Sequence, residues 1–266
     1  MADTLTVDEL VTQLRRLGVS DGDVVMVHAS LRRIGPVEDG ATGVIDAIDL
    51  VVGDAGTSMM TLGARDYWSW VNEHPEEARP GLLADAEPFD ARHTPADPDV
   101  GALAEAYRRH SGTHVSDHPE GRFAARGRLA EALMADQPWD DYYGPGSPLE
   151  RLVTAGGKVL RLGADVDTIT LLHYAEYLAE IPEKRRVVRY RRVRTGTGKA
   201  IRRIEALDDS DGIAEWAGDD YFGLILVAYL DLGRATRGLV GGATSELIDA
   251  ADLVTFATDW MEANLA

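Results

Sequence analysis

Three short apolar runs limit what this chain can become: Asp23–Val27 (DVVMV), Ser58–Leu62 (SMMTL) and Lys158–Leu162 (KVLRL). Each is too short for a core helix and of the right length for a buried strand. The first delivers His28-Ala-Ser-Leu-Arg-Arg-Ile-Gly35 into a loop, and the third, preceded by Gly156-Gly157, runs into Gly163-Ala-Asp-Val-Asp167 and then a helix. Strand, polar loop, helix is the arrangement with which α/β folds hold ligands, at the carboxyl ends of their strands.

Between these runs the period changes to that of helices. Thr6–Leu17 carries Leu10, Val11, Leu14 and Leu17 on one face, with Thr6 and Glu9 spaced as a capping box and Gly18 as a stop. Gly43–Val52, Gly101–Arg109, Arg126–Ala135 and Thr168–Ala179 also read as helices, Tyr221–Ala228 as an apolar element, and Ser245–Leu265 as a terminal helix or helix pair. Residues 66–98, rich in acids, aromatics and prolines without periodicity, read as a long substrate-binding loop. Trp139–Pro148 and Gly238–Gly242 read as turn-rich connections, and Pro182–Glu205, the one basic stretch, as a hairpin turning at Gly196-Thr-Gly198. An exposed edge of Val187–Val193 would offer a place for a homodimer to pair, although charged edges also oppose pairing. A chain of 266 residues suits a single domain over 1–266 with a substantial core.

With 45 acidic against 27 basic side chains the net charge is −18. Such a surface repels phosphate backbones and anionic membranes and attracts polycationic small molecules, although excess acid also serves plain solubility. No apolar run approaches the roughly 20 residues of a membrane span. The absence of cysteine excludes disulfides, thiol nucleophiles and cysteine-ligated zinc. The opening MADTLTVDEL lacks the basic-then-apolar pattern of a secretion signal, so the expected location is cytoplasmic.

Gly196-Thr-Gly-Lys199 fails as a phosphate loop, because Ala200 and Val193 stand where a hydroxyl residue and the first glycine are required. His110, His114, Asp117 and His118 are close enough in sequence to suggest a metal-dependent hydrolase, but the Ser-Gly break after His110 opposes a shared helical face. The most informative segment is Leu162–Glu176 (LGADVDTITLLHYAE). On a helix, His173 and Glu176 share a face, so the carboxylate can fix one imidazole tautomer and stabilise its protonated form. This is half of a general-base pair or, equally on these residues alone, a structural contact.

VHASLRRIG (Val27–Gly35), EPFDARHTP (Glu87–Pro95), GALAEAYRR (Gly101–Arg109), HPEGRFAARGRLA (His118–Ala130), SPLERL (Ser147–Leu152), LGADVDTITLLHYAE and SELIDAADLVTFATDWM (Ser245–Met261) together resemble, in order, the motifs of the aminoglycoside 3-N-acetyltransferase family. The resemblance implies an α/β/α sandwich-like fold with a central mixed sheet, distinct from the common small acetyltransferase fold. It also implies acetyl transfer from acetyl-coenzyme A to the 3-amino group of a 2-deoxystreptamine antibiotic, which gives resistance, without a metal. His173 is then the expected general base, oriented by Glu176, with Asp167 orienting His173 or the substrate. Asp66, Glu87 and Asp90, with Glu73, are expected to attract the cationic antibiotic, and His28 to act beside the substrate or purely in structure. Ser30, Leu31, Arg32 and Arg33 are expected at the coenzyme phosphates, with Phe123 and Ala124, followed by Ala125, along the pantetheine arm. The chain departs from the family with Arg122 and Ala29 at positions where serine is common. Rival functions are acylation of another amine, the metal-dependent hydrolase, and a binder that sequesters cationic drugs without catalysis.

Overall fold

The computed structural model describes residues 4–218 and 220–265. Helix α1 (Val7–Leu17) starts with reciprocal bonds between Thr6 and Glu9 and stops at Gly18, whose φ of 106° suits glycine. Strand β1 (Val24–Ala29), the single turn α2 (Leu31–Ile34), α3 (Ala41–Val52) and β2 (Thr57–Thr61) follow. Residues 66–98 fold into short helical turns, including α4 (Arg79–Leu82). Next come α5 (Ala102–Arg109), β3 (His114–Val115), β4 (Phe123–Gly127), α6 (Ala130–Met134), α7 (Pro148–Thr154), β5 (Lys158–Leu162) and α8 (Leu172–Leu178). The chain continues through β6 (Arg186–Thr195), β7 (Gly198–Leu207), α9 (Tyr221–Asp231), β8 (Thr236–Val240), β9 (Ala243–Asp249) and α10 (Ala250–Leu265).

Seven strands form one mixed sheet in the order β3-β4-β2-β1-β5-β9-β8. Parallel partners β2 and β5 flank β1, and the outer strands pair antiparallel. Alternation along the strands feeds two cores. Val25, Val27, Met60, Ala124, Leu160 and Leu162 pack with α1, α3 and α5 on one face. Met26, Met59, Phe123, Ala125, Val159 and Ile248 pack with α6 through α10 on the other. Burial on both faces explains why these strands read as continuous apolar runs rather than alternating ones, and each fully buried large aliphatic side chain contributes about 1.5–3 kcal/mol. The α/β/α sandwich is therefore present as expected.

Several element readings are corrected. Arg126–Ala135 is not one helix: Phe123–Gly127 joins the sheet between β2 and β3, and only Ala130–Met134 is helical. Gly127 permits this because its φ is +103° and a Cβ there would lie 2.3 Å from the Gly56 carbonyl oxygen. The helix read from Thr168 begins at Leu172. Gly238–Gly242 is largely strand β8, and Ser245–Asp249 is strand β9 rather than helix.

The β6–β7 hairpin stands apart from the main sheet and turns where the glycines indicated. Its expected open edge is covered. The Phe89 N–H donates to the Arg192 carbonyl, the Arg194 N–H to the Phe89 carbonyl, and the Tyr190 N–H to Asn72 Oδ1. The edge of Val187–Val193 is thus occupied by the 66–98 segment and does not lie open to a second copy.

Candidate active site

Helix α8 carries His173 and Glu176 one turn apart, and the expected pair forms: His173 Nδ1 lies 2.8 Å from Glu176 Oε2. Glu176 is only 1% exposed. Its other oxygen, Oε1, accepts a hydrogen bond from the Tyr221 hydroxyl at the start of α9. The His173 ring stacks on Tyr143, with centroids 4.9 Å apart and planes 7° apart, and meets Phe222 edge-on. Burial alone would lower the His173 pKa, but the charge and hydrogen bond of Glu176 outweigh it and hold the imidazole above its ordinary value of 6.5. With the His173 Nδ1–H donating to the Glu176 carboxylate, the Nε2 lone pair is left for proton transfer.

His173 opens onto a cleft of about 370 Å³ lined by Asp167, Glu176, Asp208, Asp209, Asp211 and Asp220, with no lysine or arginine lining it among the described residues. Of these acids Asp209 pairs with Arg189, at 2.6 Å. Asp167 lines this cleft exposed to solvent and makes no hydrogen bond to His173, whose Nδ1 is taken by Glu176. Tyr143, Tyr221, Phe222 and the acids Asp208, Asp209, Asp211 and Asp220 are absent from the sequence-based site. The Asp208-Asp-Ser-Asp211 run is their one local signal, and nothing in its spacing ties it to His173, which lies 35 residues upstream of Asp208.

The predicted substrate carboxylates Asp66, Glu87 and Asp90 line a different pocket of about 280 Å³, shared with Arg65, Arg191, Arg192 and Arg194. Asp66 pairs with Arg191 at 3.0 Å and Asp90 with Arg194 at 2.8 Å. Two of the three are therefore spent on neighbouring arginines, and the expectation of free carboxylates there is corrected. Glu73 does not line this pocket.

His28, Ser30, Leu31 and Arg32 do come together. They line a groove of about 640 Å³ at the carboxyl ends of β1 and β2, which also takes in Asp165, Thr168 and Thr170. The Asp165–Thr170 segment contributes to both this groove and, through Asp167, the acidic cleft. Arg33 is committed elsewhere, to Asp165 at 2.5 Å and the Gly163 carbonyl at 2.6 Å. Phe123 and Ala124 cannot line a pantetheine channel with their side chains. Both are 0% exposed, one in each core, because β4 is interior to the sheet. Arg122 is also buried, its guanidinium donating to the carbonyls of Ala91, Thr94 and Pro95 and so pinning that turn.

The histidines of 110–118 do not gather. His110 faces Asp46 at 3.2 Å, and His114 is exposed on β3. His118 Nδ1 accepts from the Glu120 and Gly121 N–H groups while Nε2 donates to the Trp139 carbonyl at 2.8 Å, so neither nitrogen is left for a metal. Its burial lowers the pKa to about 4. Among the described residues no cluster of three histidines or carboxylates is placed to hold a metal ion, and no helix is long and apolar enough to cross a membrane.

Residues 26–262 match the family model described as aminoglycoside 3-N-acetyltransferase. Aminoglycoside N(3)-acetyltransferase VII of Streptomyces paromomycinus is 39% identical, covering 98% of this chain and 93% of that protein. Aminoglycoside N(3)-acetyltransferase III of Serratia marcescens is 40% identical, covering 97% of each. Among solved structures, the type IIIb enzyme in binary complex with coenzyme A superposes with a TM-score of 0.92 at 39% identity, over 98% of this chain and 97% of that one. A type VIa enzyme bound to sisomicin superposes with a TM-score of 0.89 at 38% identity, over 98% of each chain. Matching motifs, a shared architecture and identity close to 40% over nearly the whole length lead to one conclusion: the chain belongs to the aminoglycoside 3-N-acetyltransferase family.

Proposed function

We propose that this chain acetylates the 3-amino group of 2-deoxystreptamine aminoglycosides, taking the acetyl group from acetyl-coenzyme A and thereby inactivating the antibiotic, with His173 as general base. The observation that carries the reading is the His173–Glu176 pair on the wall of a cleft whose charged lining is entirely acidic. Carboxylates attract the polycation and hold the reacting amine as ammonium, which cannot attack a thioester. His173 Nε2 takes the ammonium proton, and Glu176 stabilises the imidazolium that results. The groove at the carboxyl ends of β1 and β2 suits the acyl donor: the exposed Arg32 among its lining residues would answer anionic phosphates, and the Asp165–Thr170 segment is shared between the groove and the acidic cleft. Acetyl-coenzyme A supplies the activated acetyl group, and the protein supplies alignment of amine and thioester together with the base. A cysteine-free chain suits a cytoplasmic setting, where we place the reaction.

The test is release of free coenzyme A in the presence of gentamicin, sisomicin and a panel of other amines, with and without chelator. Turnover with aminoglycosides that survives the chelator is expected. Turnover only with other amines would redirect the substrate assignment, and loss of turnover with chelator would overturn the metal-free mechanism.

A further inference from the structure

His28 is the residue in the groove whose chemistry is left incomplete. It sits near the end of β1, 7% exposed, and its side chain makes no hydrogen bond to any described residue; the Nε2 atom is buried without a partner. A neutral imidazole carries one donor and one acceptor, and a buried polar group left unpaired costs about 1–3 kcal/mol, so native interiors seldom tolerate one without a reason. Other histidines show what satisfied partners look like here: His118 uses both nitrogens and His173 is held by Glu176. The groove that His28 lines with Ser30, Leu31 and Thr170 is the largest of the clefts described above, at about 640 Å³.

We propose that His28 is a binding residue for the acyl donor, its neutral ring donating a hydrogen bond to a carbonyl of the acylated pantetheine arm lying in this groove. The assignment rests on the acetyltransferase reading above and moves His28 from the antibiotic side, where the sequence had suggested it, to the coenzyme side. The environment keeps the ring in the required form. Burial, reinforced by the nearby positive charge of Arg161, lowers its pKa to about 3, so it remains neutral wherever His173 titrates. The two histidines thus divide the labour, one exchanging a proton and the other holding a carbonyl.

The test replaces His28 by Leu and by Gln and measures three quantities: coenzyme A affinity by calorimetry, KM for acetyl-coenzyme A against KM for the antibiotic, and thermal stability. Because the His28 side chain has no hydrogen-bond partner among the described residues, His28→Leu is expected to keep or raise Tm. Loss of one hydrogen bond from a desolvated site is expected to raise KM for acetyl-coenzyme A by about 5–20-fold, with the antibiotic KM within about twofold. His28→Gln, which restores a donor, is expected to recover part of that loss. A His28→Leu protein that folds and keeps its acetyl-coenzyme A KM within about twofold would overturn the proposal, as would a loss confined to the antibiotic KM. If the wild-type protein itself fails to bind coenzyme A, the acetyltransferase reading fails rather than the role of His28.

Discussion

His173 and His28 both stand near the ends of sheet strands or the helices that follow them, yet their surroundings drive them in opposite directions. Glu176, itself buried and held by Tyr221, keeps the His173 proton in place, whereas burial and Arg161 strip it from His28. Replacing His173 by Ala is expected to lower kcat by about 10²–10⁴-fold while coenzyme A affinity stays within about twofold, as kinetics and calorimetry will show. The base acts only when unprotonated, so kcat/KM is expected to rise with pH and level off above an inflection higher than 6.5. Removing the negative charge in Glu176→Gln should move that inflection to lower pH, and an unmoved inflection would dissociate it from His173. At this scale the sequence was informative where chemistry depends on local spacing. The three-residue step from His173 to Glu176 predicts their contact on any helix, whereas Tyr221 reaches Glu176 from 45 residues away and carries no local signal.

Elements place these residues, and one buried ion pair shows how firmly. Arg161 on β5 and Glu246 on β9 are register partners, 2.9 Å apart, with side chains 2% and 6% exposed. Removing one member leaves a buried, unanswered charge, so Glu246→Ala is expected to cost about 3–5 kcal/mol in denaturant unfolding. A cost below about 1 kcal/mol would mean that solvent reaches Arg161 in the variant. Strands β1, β2 and β5 were legible because two covered faces demand continuous apolar runs. Strands β4, β8 and β9 were not. Phe123–Gly127 reads equally well at helical period, and Ser245–Asp249 mixes polar and apolar residues at a length that also begins a helix. Only partners distant in sequence decide those cases. The hairpin's edge was misjudged for the same reason, since the segment that covers it lies about a hundred residues upstream.

Across the whole molecule the net charge of −18 is distributed with a purpose that composition alone could not locate. Arginines of the basic hairpin neutralise Asp66, Asp90 and Glu120, whereas Asp167, Asp208, Asp211 and Asp220 line the cleft beside His173. Asp167 and Asp211 are exposed and make no side-chain hydrogen bonds among the described residues. Changing both to Asn should therefore spare stability and raise KM for a polycationic amine, more at about 0.01 M ionic strength than at 1 M, where the screening length falls from about 30 Å to about 3 Å. A salt-independent KM change would point to direct contacts in place of long-range attraction. Base catalysis by His173 at the acidic cleft can be read from coenzyme A release with gentamicin across pH, comparing wild type with His173→Ala. Wild-type turnover is expected to rise through the raised His173 pKa, and the variant to bind coenzyme A but turn over at least about 10²-fold more slowly without that inflection. A variant with near-normal turnover and the same pH profile would contradict this role of His173.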